Sequence, residues 1–566
     1  MAFEATSFTV DVIGRFVCNS FDEVGNGLKG GGAPIDVVVI GAGMAGGYCA
    51  EKVYRQGKEK GANLRILLLD AGSLFLTQHE QNYPNINPAT GPEAIVTSNS
   101  GPVHPDPGVQ VGVWGYPWRS NQNLAPLAYC IGGRSLFWGG WSPRLTTDHD
   151  LVQPPWPAEA VAILQQNYPI VEDEIGITSQ RHEPLNDALK TAFLAAVPGT
   201  GMTVENSKLA VQSQPPAGNL FAFDKYSSAN LLISAIREDA QNDPNPAKRA
   251  IMVVPHANVT RLQNNGSQVT GIEVFVNGQR QTLTVGNELK RDFKVVIANS
   301  TIEATRLALN SFPVAGMGAN LMVHLRDDIT VTIPRSALTS APRAPLETGT
   351  LLIRGSVASV GGRAFHLQVL AASILDADPD VHVFSQVPDL DLLNDLTAQQ
   401  SADTIRIVFR AVGETIGDRT IAPPDGPKDL NKKWVNLTKD GDNLEFGNVP
   451  RAWVNLPETI DDMNVRTFMN QQALTLVQKI AGDPTKVKVE KQNNADLGST
   501  YHEAGTLWMG DPGQSLTNKD GQFHHISNAY VAGPALFPTI GSANPTLTAL
   551  ALARNTASVI VKSFTG

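Results

Sequence analysis

Two short apolar runs near the start of the chain, at positions 35–40 and 64–69, predict buried β-strands. The first reads Ile-Asp-Val-Val-Val-Ile and the second Leu-Arg-Ile-Leu-Leu-Leu. The segment between them is compatible with a helix as far as about Gln56. Strand, helix and strand in this order predict a β-α-β unit, with parallel strands joined by a crossover helix.

Later segments predict a return of the chain to this sheet. The run Lys-Val-Val-Ile-Ala at 294–298 indicates another buried strand, and residues 302–310 suit a helix. Residues 252–260 and 271–276 are β-rich and are joined through Asn-Asn-Gly-Ser, a pattern that predicts a hairpin.

A different pattern fills the middle of the chain, between about Asp328 and Asn493. Strand-like segments at 330–333, 366–369 and 405–412 alternate with loops rich in Pro and Asp. Such spacing is typical of a mixed or antiparallel sheet. The fold class expected is therefore α/β, or α+β overall, with a Rossmann-like domain and an interleaved second domain.

Length, charge and cysteine content exclude several classes of protein. At 566 residues the chain exceeds the roughly 250–300 residues above which single cores split into domains. The formal charge of −10 argues against nucleic-acid binding, which needs a basic surface. The three cysteines, Cys18, Cys49 and Cys130, suggest neither a disulfide framework nor a zinc site, so no metal is expected.

The sequence also lacks the usual targeting patterns. The first residues show no basic region followed by an apolar run, so we expect no secretory signal and a cytoplasmic location. No apolar stretch approaches the roughly 18 residues of a membrane span, because Arg554 and Asn555 interrupt the nearest one.

A glycine motif connects the first predicted strand and helix. Gly41, Gly43 and Gly46 have the G-x-G-x-x-G spacing, and Asp70 ends the next strand. Glycines there permit a tight turn and close approach of a pyrophosphate to the helix N-terminus, while an acid can accept from a ribose hydroxyl. The motif predicts dinucleotide binding without separating FAD from NAD. A merely structural turn, with Asp70 as a cap, is the alternative.

Two further motifs carry candidate chemistry. Residues 132–141, Gly-Gly-Arg-Ser-Leu-Phe-Trp-Gly-Gly-Trp, suit close packing against a flat cofactor, or a Gly-rich turn over core aromatics. Near the end, His502 stands in Tyr-His-Glu-Ala-Gly-Thr and Asn544 in Gly-Ser-Ala-Asn-Pro-Thr-Leu-Thr. A histidine can accept a proton near neutral pH, whereas an Asn before Pro is often only a turn or helix start.

These motifs occur in the order found in the glucose-methanol-choline (GMC) family of flavin oxidoreductases, which the chain resembles over nearly its whole length. The resemblance also rests on Leu-Leu-Leu-Asp-Ala-Gly at 67–72, on Val-Val-Ile-Ala-Asn-Ser-Thr-Ile-Glu-Ala-Thr-Arg-Leu at 295–307 and on Gly-Ala-Asn-Leu-Met-Val-His at 318–324. Gly-Gly-Arg-Ser-Leu-Phe-Trp is most similar to the branch of pyranose oxidases and sugar dehydrogenases. The resemblance implies an FAD-binding domain at 33–150, 220–327 and 494–566, a substrate domain at 151–219 and 328–493, and an N-terminal arm at 1–32.

The resemblance implies His502 as the catalytic base and Asn544 as the residue that orients the substrate oxygen. In relatives the position that matches Asn544 is His or Asn. Val259 would meet the adenine through its backbone. The cofactor-binding residues implied are Gly41, Gly43, Met44, Ala45, Gly46, Asp70, Ala71, Gly132, Gly133, Ser135, Trp138, Gly139, Val259, Ala298, Gly533, Pro534, Asn544, Pro545 and Thr546.

The activity implied is oxidation of an alcohol, of a sugar, glycoside or polyol, to a carbonyl by proton abstraction and hydride transfer to flavin N5. Oxygen or a quinone-type acceptor would reoxidise the flavin. Pyranose oxidases bond FAD through a histidine in Thr-His-Trp, and the triplet here is Leu136-Phe137-Trp138, so non-covalent FAD is expected. Open alternatives are a cyanohydrin lyase or photodecarboxylase of the same fold, a sterol or aliphatic alcohol oxidase, or a non-catalytic nucleotide-binding or carrier protein. Residues 335–348 suit either a substrate lid or a surface loop.

Overall fold

The structure is a computed structural model that describes residues 12–77, 79, 110–111, 113–151, 155–177, 184–212, 225–242, 245–339, 346–374, 403–419, 429–438 and 441–566. In these ranges the helices are α1 (Val12–Val17), α2 (Phe21–Lys29), α3 (Met44–Glu59), α4 (Ala158–Glu174), α5 (Pro184–Ala196), α6 (Ser228–Asn242), α7 (Thr301–Ser311), α8 (Ile460–Ala481) and α9 (Thr546–Thr565). The strands are β1 (Ile35–Ile40), β2 (Ile66–Leu69), β3 (Gln110–Val111), β4 (Trp114–Gly115), β5 (Trp118–Ser120), β6 (Leu127–Ala128), β7 (Thr203–Asn206), β8 (Ile251–Val254), β9 (Asn258–Asn264), β10 (Val269–Val276), β11 (Gln279–Thr284), β12 (Leu289–Ile297), β13 (His324–Pro334), β14 (Leu346–Val357), β15 (Arg363–Ile374), β16 (Thr404–Glu414), β17 (Trp434–Leu437), β18 (Ala452–Asn455), β19 (Lys488–Asn494) and β20 (Ala529–Val531).

A five-stranded parallel sheet lies at the centre of one half of the molecule, in the order β20-β12-β1-β2-β8. β1, β2 and β8 are buried along their whole length, as parallel strands covered on both faces must be. The predicted β-α-β unit is present as β1, α3 and β2. α9, the last helix, packs against α3 on this half.

The predicted hairpin of residues 252–260 with 271–276 is partly wrong. The first segment is two strands: β8 ends at Val254 in the parallel sheet, and β9 pairs with β10 in a separate three-stranded antiparallel sheet with β11. Pro255 and His256 separate β8 from β9, and His256 has a φ of 52°. A residue in this left-handed conformation turns the chain, so the two apolar runs cannot form one strand.

The second half is built on a six-stranded sheet in the order β19-β13-β16-β15-β14-β7. Every neighbouring pair is antiparallel, which resolves the expectation of a mixed or antiparallel sheet. α8 and α5 pack on it and share its apolar core, which includes Phe193, Phe409 and Leu476. The predicted domain limits stay a prediction, and the one at 327/328 falls within β13.

Other expectations fall on parts of the chain that are described incompletely. Within residues 335–348, for which a substrate lid and a surface loop were both open, residues 340–345 lie outside the described residues. On either side of them, Arg335 and Glu347 form a buried ion pair. Across the described ranges, helices are too short or too polar to cross a bilayer.

Candidate active site

The glycine motif forms a tight turn between β1 and α3. Gly41 has a φ of 91°, and a Cβ on it would lie 2.7 Å from the backbone of Asn299. A Cβ on Gly46 would lie 1.9 Å from the carbonyl oxygen of Gly41. A Cβ on Gly43, by contrast, would meet no atom within 4 Å. The first and third glycines therefore permit the turn itself, and the second leaves space in front of the N-terminus of α3.

Asp70 fixes this turn from the neighbouring strand. One carboxylate oxygen accepts from the N–H of Ala42 at 2.6 Å, and the other accepts from the N–H of Gly72 at 2.7 Å. Burial raises the pKa of the carboxyl group. Asp70 thus holds the turn, as the structural alternative expected, and it also borders the cavity in front of the turn.

That cavity, about 240 Å³ in volume, collects most of the predicted cofactor-binding residues. The predicted residues that line it are Gly41, Gly43, Met44, Ala45, Asp70, Ala71, Gly133, Ser135, Trp138, Val259, Ala298, His502, Gly533, Pro534, Pro545 and Thr546. Four predicted residues lie outside this lining: Gly46, Gly132, Gly139 and Asn544. Gly46 and Gly132 lie behind it, since Gly46 packs on Gly41 and the N–H of Gly132 donates to Ala42.

Unpaired polar atoms in the wall indicate that the cavity suits a polar ligand. Asn299 Oδ1, Ser300 Oγ and Glu303 Oε1 are buried and have no hydrogen-bond partner among the described residues. Buried polar atoms are nearly always paired, so such a group marks a place where a ligand or water completes the bonding. Together with the open N-terminus of α3 and the apolar Leu69 and Val531, these atoms fit a dinucleotide.

Sequence reasoning missed several residues of this wall. Leu444 and Phe446 line the cavity together with Val259, although they come from the loop between β17 and β18. The loop packs closely on the three-stranded sheet of β9, β10 and β11: a Cβ on Gly447 would lie 2.5 Å from Thr260 Cγ2. Only the long-range packing brings them together, and no local motif marks them.

His502 lines the cavity, and Asn544 lies beside it, just outside the lining. Asn544 Nδ2 and His502 Nε2 are 3.4 Å apart. Tyr501, with a φ of 61°, turns the chain into His502, and Ala504 is held to Met322 by two backbone hydrogen bonds. Asn544 directly precedes Pro545, the N-cap of α9. The pair that the resemblance singled out is therefore within hydrogen-bond reach.

A second histidine, His324 at the start of β13, determines the tautomer of His502. His324 Nε2 is 2.9 Å from the carbonyl oxygen of Gly541, which can only accept, so Nε2 carries a proton. His324 Nδ1 is 2.8 Å from His502 Nδ1. Burial lowers the pKa of His324 to about 4, so this ring is neutral and its Nδ1 accepts. His502 consequently donates from Nδ1 and keeps Nε2 unprotonated, with a lone pair that can accept.

Burial also holds the pKa of His502 well below its usual range, and the neighbouring histidines lower it further. The imidazole is therefore neutral at neutral pH. A neutral ring with its lone pair on Nε2, directed at the Asn544 amide, is the form that can take a proton from an alcohol.

One ion pair and one pair of hydrogen bonds to a carboxylate fix the segments that carry this site. Arg134 belongs to residues 132–141, here called the Gly-aromatic segment, and pairs with Glu503 at 2.7 Å. It also lies over the ring of Tyr501, with its guanidinium carbon 5.1 Å from the ring centroid. Asp150 accepts from the N–H and the hydroxyl of Ser542 at 2.7 and 2.8 Å. These contacts join the Gly-aromatic segment to His502 and anchor the turn that leads to Asn544.

Comparisons with known proteins point to one family. Residues 444–553 match the family model described as GMC oxidoreductase. A C-glycoside 3-oxidase of Arthrobacter globiformis is 23% identical over 570 residues, which cover 94% of this chain and 96% of the relative.

Two solved structures share the fold. A formate oxidase of Aspergillus oryzae RIB40, solved to study FAD modification, superposes with a TM-score of 0.57 at 13% identity and covers 94% of this chain and 99% of its own. A pyridoxine 4-oxidase from Mesorbium loti has a TM-score of 0.50 at 15% identity, with 93% and 99% covered.

Proposed function

We propose that the chain is a member of the GMC oxidoreductase family, whose members bind FAD, and that it is an oxidase that converts an alcohol carbon of a sugar or glycoside to a carbonyl. The observation that carries the proposal is the neutral His502 in the cavity wall, whose unprotonated Nε2 lies 3.4 Å from the Asn544 amide. The name of the C-glycoside 3-oxidase relative supports a sugar or glycoside substrate and oxygen as the electron acceptor.

The residues of the cavity wall fit FAD in two stretches. Gly41, Gly43 and Asp70 would hold the ADP half at the N-terminus of α3, and Val259 would border the adenine. Gly133 and Pro545, which line the cavity together with His502, would border the isoalloxazine. When bound there, FAD supplies the acceptor for the hydride of the substrate carbon.

The chain's own residues handle the substrate and its proton. His502 Nε2 takes the hydroxyl proton, because hydrogen bonding to His324 reserves Nδ1 as the donor. Asn544 donates from Nδ2 to the substrate oxygen and cannot compete for the proton. An oriented base of this kind contributes roughly 10²- to 10⁴-fold to the rate.

We further propose that FAD is bound without a covalent bond. Phe137 stands at the position where pyranose oxidases have the bonded histidine, and its ring packs against Trp114 with centroids 4.9 Å apart. Acid precipitation of the purified protein should release the yellow colour into the supernatant. Colour retained by the precipitate would contradict the proposal. The cytoplasmic location expected from the sequence stays a prediction.

The activity is tested by anaerobic reduction of the bound flavin. The yellow protein is mixed with free sugars, C-glycosides and simple alcohols in turn, and the absorbance of the flavin is followed. Sugars or glycosides should bleach it, and admitting oxygen should restore it. His502→Ala should slow bleaching by roughly 10²- to 10⁴-fold while FAD stays bound. Turnover of a cyanohydrin or carboxylate without bleaching by any alcohol would refute the proposed function.

A further inference from the structure

A glutamine of the six-stranded antiparallel sheet contacts the side-chain amide of Asn544. Gln368 lies on β15 and its side chain is buried, with 1% of the residue exposed. Its Nε2 donates to Asn544 Oδ1 at 2.9 Å and lies 3.1 Å from His366 Nε2. The contact joins the middle of one sheet to the residue that precedes the last helix of the other half.

The chemistry of the partners determines how the Gln368 amide is oriented. Burial holds the pKa of His366 well below its usual range, so the ring is neutral and its Nε2 can accept. Asn544 Oδ1 can only accept. Both contacts therefore require the NH₂ end of Gln368, and its two hydrogens serve two acceptors.

The orientation of Asn544 follows independently from His502, because the unprotonated Nε2 of that ring requires the NH₂ end of the Asn544 amide. With Oδ1 held by Gln368, Nδ2 is directed at His502 Nε2. Rotating the Asn544 amide by half a turn would oppose two NH₂ groups at 2.9 Å and would place an oxygen against the lone pair of His502. Both contacts would be repulsive, so one orientation is selected.

We propose that Gln368 is a positioning residue, which keeps Nδ2 of Asn544 directed at the base and at the substrate oxygen. The inference rests on the proposed function, since it gives Gln368 a role through Asn544. The sheet itself does not need this amide, because the backbone of Gln368 is paired with Leu352 and Arg410 in any case. Gln368 Oε1 has no partner among the described residues, so the amide is held by its NH₂ end alone.

The test compares Gln368→Met, Asn544→Ala and the double variant by the anaerobic rate of flavin reduction with a bleaching sugar at saturation. Methionine keeps the length of the side chain and removes the donor. The single Gln368→Met change should slow reduction by roughly 10- to 100-fold, because a misplaced orienting group costs about that much. In the Asn544→Ala background it should have no further effect. The binding constant for FAD should stay unchanged.

A second variant gives a readout that lost packing would not produce. Gln368→Glu has the same shape but, when ionised, presents only acceptors, so it should turn the Asn544 amide round. Its reduction rate should rise on acidification, when the carboxyl group becomes protonated and can again donate. Gln492→Met, an exposed glutamine on the edge strand β19, is the matched control and should reduce at the wild-type rate.

The outcomes separate the inference from the proposed function. If Asn544→Ala alone leaves reduction unchanged, the role of Asn544 in the proposed function fails. If Asn544→Ala slows reduction but the two changes multiply in the double variant, Gln368 acts independently of Asn544 and the inference is overturned. A Gln368→Glu rate that does not rise on acidification overturns it as well.

Discussion

At the scale of single residues, the site is a chain of hydrogen bonds that all run in one direction. Gln368 donates to Asn544, Asn544 is directed at His502, His502 donates to His324, and His324 donates to the carbonyl of Gly541. Each donor meets an acceptor only when all the rings are neutral. His502, the proposed base, therefore has an unprotonated Nε2 because His324 accepts the proton on the opposite side of the ring.

This arrangement predicts that His324 is required for the tautomer of His502. His324→Leu removes the acceptor for the Nδ1 proton, so the proton can move to Nε2, where it blocks the base. We expect anaerobic flavin reduction to slow by roughly tenfold or more, in line with the loss caused by removing a group that orients a histidine.

His324→Asn is the control, because an asparagine Oδ1 can take the place of Nδ1 as acceptor. It should recover much of the rate. Equal loss in both variants, with FAD still bound, would mean that His324 acts by packing and not through the tautomer of His502.

The sequence allowed His502 and Asn544 to be predicted, because they stand in motifs that resemble a known family. His324 ends the motif Gly-Ala-Asn-Leu-Met-Val-His, but nothing along the chain indicates its contact with a residue 178 positions away. The alternation of β15 placed His366 and Gln368 on one face of a strand, yet it could not say what that face meets. These residues required the three-dimensional structure.

At the scale of elements, the glycine turn between β1 and α3 could be predicted because its cause is local. A β-branched run, three glycines at fixed spacing and an acid after the next strand determine one geometry. The break between β8 and β9 could not be predicted, since the β-rich run continues through Pro255 and His256. The left-handed conformation of His256 depends on its surroundings, and the local sequence does not predict it.

The turn gives a paired prediction that separates folding from cofactor binding. Gly43→Ala adds a methyl group where the structure has no atom within 4 Å, and the φ of −69° is open to any residue. The FAD-free protein should unfold at the wild-type temperature and bind FAD much more weakly, because the methyl group takes the space before the N-terminus of α3.

Gly46→Ala should behave in the opposite way. Its methyl group would lie 1.9 Å from the carbonyl oxygen of Gly41, so the FAD-free protein itself should lose stability. Thermal unfolding of FAD-free protein and titration with FAD, followed by flavin fluorescence, measure the two effects. Undiminished FAD affinity in Gly43→Ala would place the cofactor away from this turn.

At the scale of the whole molecule, the site lies where the two halves meet. His502 and Asn544 belong to the half with the parallel sheet, and His324 and Gln368 belong to the antiparallel sheet. The sequence predicted both sheets but not how the two halves meet. A pattern of buried positions shows that a strand face is covered, but it does not show which residues cover it. The predicted motifs supply the proposed reacting groups, His502 and Asn544, and contacts between the two halves hold them in place.

Glu414 shows how this junction should respond to pH. It ends β16 opposite His324, accepts from the N–H of Ala364 at 2.7 Å, and lies 3.5 Å from the hydroxyl of Thr539 in the other half. Burial raises its pKa from 4.5 to about 8. A group with a raised folded-state pKa contributes its full stability below its unfolded pKa and loses it as pH rises toward the folded value.

Wild-type protein should therefore lose stability from this residue between about pH 4.5 and 8, at up to about 1.4 kcal/mol per pH unit. Glu414→Gln keeps the shape and the acceptor for Ala364 but cannot ionise. In thermal unfolding of FAD-free protein, it should match wild type at pH 4 and exceed it at pH 8, whereas Glu59→Gln, at the exposed end of α3, should change neither comparison. If Glu414→Gln and wild type keep the same difference at both pH values, the carboxyl group is ionised throughout, and a charge, not a neutral acid, lies where the two halves of the molecule meet.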